Sequence, residues 1–329
     1  MYKTPPILLL IFNRPDLTEK VMEQIRAVEP PKLFVGADGP REDHPDDEKH
    51  CEQARAVATQ VDWDCEVHTL FRDENLGCKQ AVSSAITWFF EHVEEGIILE
   101  DDCVPHPSFF PYCAELLERH RNDDRVMVVS GNNFQPEETT WESSYYYSIY
   151  NHCWGWATWR RAWQHYDGDI ADWSDLRDTE WLEGWVGSEE GAKYWTGIFD
   201  RVAQDAVDSW AYPWTFSCWA EHGLSILPQT NLVTNIGFGE RATHTKNTEG
   251  TDGESDGHRP ARSLSFPLSH PNRIVRDYEA DEYTLREHFG VRVPSPRWYR
   301  LADRFTPELV KKAIQPIYRF YKTKYKNTR

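Results

Sequence analysis

The sequence has no Cys-x-x-Cys pair, no stretch of 18 consecutive apolar residues, and far fewer basic residues than acidic ones, 36 against 54. Its seven cysteines (Cys51, Cys65, Cys78, Cys103, Cys113, Cys153 and Cys218) are odd in number and lack ligand spacing. A disulfide framework or a zinc knuckle is therefore not expected, and reduced thiols are. The missing apolar run excludes a transmembrane helix. The apolar segment Ile7 to Phe12 is too short for the core of a secretory leader, so a cytoplasmic protein is expected. A formal net charge of −18 repels phosphate backbones, so no nucleic-acid partner is expected.

What the sequence does contain is a large core and an excess of indole. Of 329 residues, 40% are hydrophobic and 14% aromatic, which excludes a disordered chain. Twelve of the 15 tryptophans fall between Trp141 and Trp219. Indole packs in cores, and it also stacks on the C–H faces of sugar rings. Twelve in one segment suggest a sugar platform for a subset. The charge is divided as well. From Arg297 onward there are ten basic and two acidic residues, leaving −26 on the preceding 296. Arginine outnumbers lysine 24 to 12, and the surplus acid suits a saline habitat as well as a function.

Periodicity predicts alternating strands and helices over the first 131 residues. Strands are expected at Pro6–Phe12, Lys32–Ala37, Cys65–Phe71, Gly96–Leu99 and Val126–Ser130. Helices are expected at Leu17–Val28, Asp46–Val61, Asn75–Phe90 and Pro107–Arg121. This alternation implies an α/β fold with a mostly parallel central sheet flanked by helices. Ligands in such sheets sit at the carboxyl ends of the strands. Residues 243–262, rich in Thr, Gly, Asp, Glu and Ser, read as a mobile loop.

The strand ends carry the candidate chemistry. Glu100-Asp101-Asp102 follows an apolar strand, and adjacent carboxylates repel unless something positive is bound. Mg²⁺ or Mn²⁺ favours such oxygens and bridges a diphosphate; the bland alternative is a solvated acidic turn. Asp38, before Gly39-Pro40, is a turn former or helix cap as readily as a reader of a base edge. Arg14, after Asn13, is a phosphate clamp or a surface arginine. Asp208 is a general base or one more solvated acid, and His244 a metal ligand or an exposed histidine.

Taken together, these residues resemble a GT-A glycosyltransferase, and more narrowly the family of alpha-1,3-mannosyl-glycoprotein N-acetylglucosaminyltransferase I and its bacterial, family 2-like relatives. The carrying segments are Ile7 to Arg14, Phe34 to Asp38, Asn75 to Gly77, Gly96 to Phe110, and Val128 to Asn133. Trp154-Gly155-Trp156, Asp208-Ser209-Trp210, Thr234 to Gly239 and Thr243-His244 follow in order. The resemblance covers roughly residues 5–246. It implies that Phe12 and Arg14 contact the nucleotide, Asp38 reads the uracil, and Asn75 lies near the base or ribose. Glu100, Asp101 and Asp102 match the DxD-type motif, with Asp102 on the metal and its neighbours facing the ribose. Thr243 and His244 match the stretch that closes over the diphosphate, with His244 a second metal ligand. Asp208 matches the base of an inverting transfer, with Asp205 and Glu221 in reserve. Trp154, Trp156 and Trp210 are the acceptor-side candidates. The chain departs from the family at Ser209, where the family has a second acid, and at Val207, where it has a tryptophan that helps bind acceptor.

The expected organisation is a catalytic domain over residues 1–262, with a nucleotide-sugar half over 1–133 and an acceptor half over 134–262. A helical extension over 263–329 follows, basic from 297. In that tail Trp298, Tyr299, Phe305, Tyr318 and Phe320 interleave with Arg300, Arg304, Lys311 and Arg319, which suits an anionic membrane or a docked helix pair equally. The expected activity is metal-dependent transfer from a UDP-sugar such as UDP-GlcNAc to a glycan or lipid-linked saccharide, with Mn²⁺ or Mg²⁺, at the inner face of the membrane. Two alternatives stand: a non-catalytic carbohydrate-binding relative, and a sugar nucleotidyltransferase. The latter normally needs a Gly-rich loop after the first strand, where this chain has Asn13-Arg14-Pro15.

Overall fold

A computed structural model of the chain describes residues 3–238 and 259–292. Residues 243–258 of the expected loop, with Thr243 and His244, lie outside the described residues, as does the basic tail from Arg297. Among the described residues no helix is long and apolar enough to cross a membrane.

The first half follows the sequence pattern closely. The order is β1 (Ile7–Ile11), α1 (Pro15–Arg26), β2 (Lys32–Ala37), α2 (Asp47–Ala58), β3 (Glu66–Phe71), α3 (Gly77–His92) and β4 (Glu95–Glu100). A short β5 (Cys103–Pro105), α4 (Phe109–His120) and β6 (Val126–Ser130) come next. The second half supplies β7 (Tyr145–Ser148), β8 (Trp156–Trp159), and the helices α5 (Arg160–Trp163), α6 (Trp173–Leu176), α7 (Trp181–Val186), α8 (Glu189–Ala203) and α9 (Ala211–Ala220). It closes with β9 (Leu224–Pro228) and β10 (Val233–Asn235).

Eight strands form one sheet in the order β3-β2-β1-β4-β8-β6-β9-β7, so the two halves of the chain share it. Alternation in β1 assigns its faces. Ile7, Leu9 and Ile11 pack with Val21 and Ile25 of α1, Ala54 of α2 and Leu117 of α4. Leu8 and Leu10 pack on the other side with Ile86 and Phe89 of α3 and with the tryptophan-rich helices. A sheet covered on both faces explains why β1 is apolar at every position.

The sheet is mostly parallel, as expected: six of its eight strands run together, while β7 and β8 run against them and make three of the seven pairings antiparallel. Strand–helix alternation sets a common direction but not adjacency. Here β8 inserts between β4 and β6, strands that follow each other closely along the chain. The tryptophans need correction, because most of them are core. Trp156, Trp159, Trp163, Trp173, Trp195, Trp210, Trp214 and Trp219 are all buried. Several donate their indole N–H internally, Trp159 to the Leu117 carbonyl (3.1 Å) and Trp219 to that of Ile149 (2.6 Å). Trp156 and Trp210 stack on each other at 5.5 Å, with 1% and 3% exposure, and so have no face to offer an acceptor sugar.

The segment 276–284 is tied to β7 through Asp281, which is 1% exposed. Its carboxylate accepts from Ser148 Oγ, the Ile149 N–H (3.3 Å) and Arg276 Nε (2.5 Å). At the end of α4, His120 is buried with Nε2 lacking a partner. Burial, assisted by Arg119, lowers its pKa to about 4. A neutral buried histidine contributes stability that is whole above its unfolded pKa near 6.5 and is lost as pH falls toward 4. We therefore expect the Tm difference between the wild type and His120→Leu to shrink as pH falls from 6.5 to 4 in thermal melts. A constant difference would exclude His120 as a source of acid sensitivity.

Candidate active site

The carboxyl ends of β1, β2 and β4 are neighbours in the sheet, and a cavity of about 340 Å³ opens over them. Phe12, Arg14, Asp38, Asn75, Glu100, Asp101, Asp102, Trp154 and Asp208 all line it. Of the site residues expected from sequence that lie among the described ones, Trp156 and Trp210 alone stay outside. The reserve bases Asp205 and Glu221 do not reach it either. Asp205 pairs with Lys79 (3.0 Å) and Glu221 with His165 (3.2 Å), both on the exposed surface.

The floor is a charge cluster. The Arg14 guanidinium grips Asp101 through Nη2 and Nε and reaches Asp102 Oδ2 through Nη1 at 2.9 Å. The Phe12 N–H also donates to Asp101 (3.3 Å). Arg14 is thus an internal counter-ion that gives three of its five N–H groups to Asp101 and Asp102. Burial opposes its charge, but Asp101, Asp102 and Glu100 together outweigh this and hold its pKa above the ordinary value. Burial raises the pKa of Glu100, reinforced by Asp102 and Asp101. Burial also raises Asp101, with Arg14 pulling it back. Three carboxyl groups face one guanidinium in a dry place; Glu100, pushed up to about 8, keeps its proton at neutral pH, and the two aspartates still outnumber Arg14.

That excess bears on whether a divalent cation fits. Among the described residues no three or more His, Cys, Asp or Glu side chains are grouped to hold a metal by themselves. The donor chemistry fits a different kind of site. Mg²⁺-type ions commonly take one or two carboxylates and complete their shell with water and substrate phosphate oxygens. Asp102 lines the cavity and supplies hard oxygens beside uncompensated charge, so these residues fit a cation of that type.

The wall opposite is built from the start of α3. A helix leaves its first four N–H groups unpaired, and here two carboxylates from distant parts of the chain take all four. Asp38 accepts from Leu76 (2.9 Å) and Gly77 (3.2 Å), and Asp208 from Cys78 (2.9 Å) and Lys79 (2.7 Å). Asp38 also accepts from the Gly39 N–H (2.9 Å) and Asn75 Nδ2 (3.0 Å). Burial raises the Asp38 pKa and these backbone bonds oppose the rise. Gly77 has φ +79°, and a Cβ there would meet Asp208 Oδ2 at 3.0 Å. Both aspartates are therefore long-range helix caps. Asp38 is neither the local turn former nor a carboxylate with its lone pairs free for a base edge.

Several lining residues had no role assigned from sequence. β10 pairs antiparallel with β5, placing Asn235 opposite Cys103, and the Ile236 N–H donates to the Asp102 carbonyl (2.8 Å). This brings Gly237 so close that a Cβ would lie 2.0 Å from Asp102 Oδ2. Asn235, Gly237 and Phe238 complete the cavity wall on that side. Phe238 sits edge-on to Trp154, with centroids 5.8 Å apart. Arg41, from the loop after β2, lies 5.3 Å over the Phe12 ring and pairs with Asp47 (2.6 Å). The only sequence signal was the Asn-Ile-Gly-Phe run and an arginine just past Gly39-Pro40. Neither shows which strand it faces.

No family model matches the chain, and no curated protein matches it. Solved structures align with it at low identity. The mannosyltransferase PcManGT from Pyrobaculum calidifontis, in complex with GDP-Man and Mn²⁺, is 15% identical over 49% of this chain, with a TM-score of 0.33. The chain spans 46% of that protein. HddC from Yersinia pseudotuberculosis is 10% identical over 49% of this chain and 78% of its own, with a TM-score of 0.30. The UTP-bound UGPase from Acinetobacter baumannii is 10% identical over 71% and 88%, with a TM-score of 0.32. At these scores the alignments carry no argument about activity, which rests on the geometry above.

Proposed function

We propose that this chain is a GT-A-type glycosyltransferase that binds a UDP-sugar in the strand-end cavity and transfers the sugar to a saccharide acceptor. The observation that carries this reading is the gathering of three carboxyl groups, Glu100, Asp101 and Asp102, against the single guanidinium of Arg14 at the floor of a strand-end cavity. Such a floor suits a cation–diphosphate pair better than a diphosphate alone. Asp102 would hold the metal, which when bound offsets charge developing on the leaving diphosphate.

The protein's own residues do the rest. The hydrogen-bonded Asp38–Asn75 pair and Phe12, backed by Arg41, form the slot for the uracil and ribose. Arg14 fixes the Asp101 and Asp102 carboxylates in place. The half-buried Trp154 stands at the side away from that slot, where the sugar and acceptor would meet. Asp208 lines the cavity and is exposed, each of its oxygens accepts one N–H, and each keeps a second lone pair. It is the carboxylate best placed to take the proton of an attacking hydroxyl. Asp208→Asn should leave donor affinity within about twofold and lower transfer by about two orders of magnitude or more. Turnover near wild type in an initial-rate assay would move the base elsewhere.

A sugar nucleotidyltransferase is the weaker reading. α1 begins at Pro15, directly after Asn13-Arg14, so no glycine-rich turn is present to cradle a triphosphate. A thermal-shift screen of nucleotides and nucleotide-sugars tests both, because ligand binding to the folded state raises Tm by mass action. The reading predicts the largest shift with a UDP-sugar plus Mn²⁺. A larger shift with a nucleoside triphosphate would favour the nucleotidyltransferase.

A further inference from the structure

The eight-stranded sheet ends in two edges, and the chain treats them differently. Along β7 the edge is occupied: Arg276 bridges to Tyr147, and the Asp277 N–H donates to the Tyr147 carbonyl (2.8 Å). β3 forms the other edge, and among the described residues no segment pairs with its outer side. The Glu66 N–H donates to the Pro31 carbonyl (3.0 Å) and the Arg72 N–H to that of Ala37 (3.1 Å), so the even-numbered residues of β3 bond to β2. Alternation along a strand then turns the backbone N–H and C=O groups of Val67, Thr69 and Phe71 outward.

An open edge is a template for further pairing, and proteins commonly blunt it with lysine, proline, a bulge or a covering segment. β3, Glu-Val-His-Thr-Leu-Phe, has no lysine or proline, and its register with β2 runs without a bulge over six residues. Two of the five large hydrophobics exposed among the described residues, Val67 (37%) and Phe71 (38%), lie on it. They share a face with their β2 partners Leu33 and Ala37, which are buried. The β-branched Val67 and Thr69 and the aromatic Phe71 are residue types that a paired, pleated surface favours.

We infer that β3 pairs antiparallel with β3 of a second copy of this chain, about a two-fold axis at Thr69, joining the two eight-stranded sheets into one. Thr69 then faces the partner's Thr69, Val67 faces the partner's Phe71, and Glu66 faces the partner's Arg72. The outward residues 67, 69 and 71 form three hydrogen-bonded pairs, each exchanging two N–H···O bonds. Val67 and Phe71 meet as an aliphatic–aromatic pair on one face, and Glu66 and Arg72 as an opposite-charge pair on the other, twice each by symmetry. A register shifted by two residues sets Val67 against Thr69 or Asp73 instead and keeps neither pair. A six-residue ladder is a small interface, so the dimer is of the concentration-dependent class. The net charge of −18 on each copy opposes association at long range, and salt screens that repulsion. The paired strands run oppositely, so the two strand-end cavities lie at opposite ends of the joined sheet, and the inference stands apart from what they bind.

Analytical ultracentrifugation of the full chain in about 0.5 M NaCl, from micromolar to sub-millimolar concentration, reads the association. The wild type should pass from monomer to dimer. Val67→Lys and Phe71→Glu should each weaken the dimer about tenfold or more. The double variant sets a lysine against a glutamate at both symmetric positions, and should recover to within about threefold of the wild type. Hydrogen exchange supplies a second readout. The outward amides of Val67, Thr69 and Phe71 should gain protection as concentration rises, while those of His68 and Leu70, bonded to β2, should not change. Should a variant fail to fold, that protection decides the matter alone. A wild type that stays monomeric, or a dimer indifferent to Val67→Lys, overturns the inference. So does a double variant no better than the singles, or a dimer whose edge amides stay unprotected.

Discussion

Asp102→Ala should abolish Mn²⁺-dependent binding of a UDP-sugar and lower transfer by about two to three orders of magnitude. Asp102 and Glu100 both line the cavity with oxygens not wholly committed to the protein, and Glu100, raised by burial, is the poorer anion. Asp101 is held by Arg14 on both oxygens and by the Phe12 N–H. Asp102 gives one oxygen to Arg14, and its other meets only the weak Cys103 thiol donor (3.4 Å). Loss of the side chain should barely affect folding, because it relieves repulsion in an over-charged cluster. Calorimetry of UDP-sugar binding with and without Mn²⁺ separates the two effects. An unchanged Mn²⁺ dependence would remove the metal from Asp102. Gly237→Ala offers a milder version of the same test. Its Cβ would displace the Asp102 carboxylate without removing it.

Arg14→Met should be the most destabilising single change at this site, by about 3–5 kcal/mol at neutral pH. It would leave three carboxyl groups, with Asp101 and Asp102 buried, and no counter-charge. For a chain of this size that corresponds to a fall in Tm on the order of 10 °C. The sign of the pH dependence follows from the raised pKa values of Glu100 and Asp101. A carboxylate whose folded pKa is raised contributes most at low pH and loses that contribution as pH rises through the folded pKa. Without Arg14 the rise is greater, so the deficit of the variant should shrink between pH 7 and pH 5. Millimolar Mn²⁺ should raise the Tm of Arg14→Met more than that of the wild type. A deficit that is independent of both pH and Mn²⁺ would mean that Arg14 acts by packing alone.

The first half of the chain was largely legible in the sequence, because its signals are local. Lys32–Ala37 and Val126–Ser130 are bounded as periodicity and turn residues predicted. The acidic triplet falls at a strand end, as an apolar run followed by charge implies. What was not legible depended on contacts across the chain. Asp208 caps a helix some 130 residues away, and nothing near Val207-Asp208-Ser209 announces it. The β5–β10 ribbon that carries Gly237 onto Asp102 joins two three-residue strands too short to show a period. The tryptophans misled for a related reason. Composition marks them as unusual, but only packing separates the buried Trp156–Trp210 stack from Trp154, which lines the strand-end cavity.

The central claim is that a nucleotide-sugar and its cation sit over the carboxyl ends of β1, β2 and β4. Crystals grown with a UDP-sugar and Mn²⁺, measured for the anomalous signal of manganese, address it directly. The account predicts one manganese bonded to an Asp102 oxygen and to the diphosphate, with the uracil lying against Phe12 and the Asp38–Asn75 pair. Nucleotide bound elsewhere, or in this cavity with no manganese at Asp102, would contradict it.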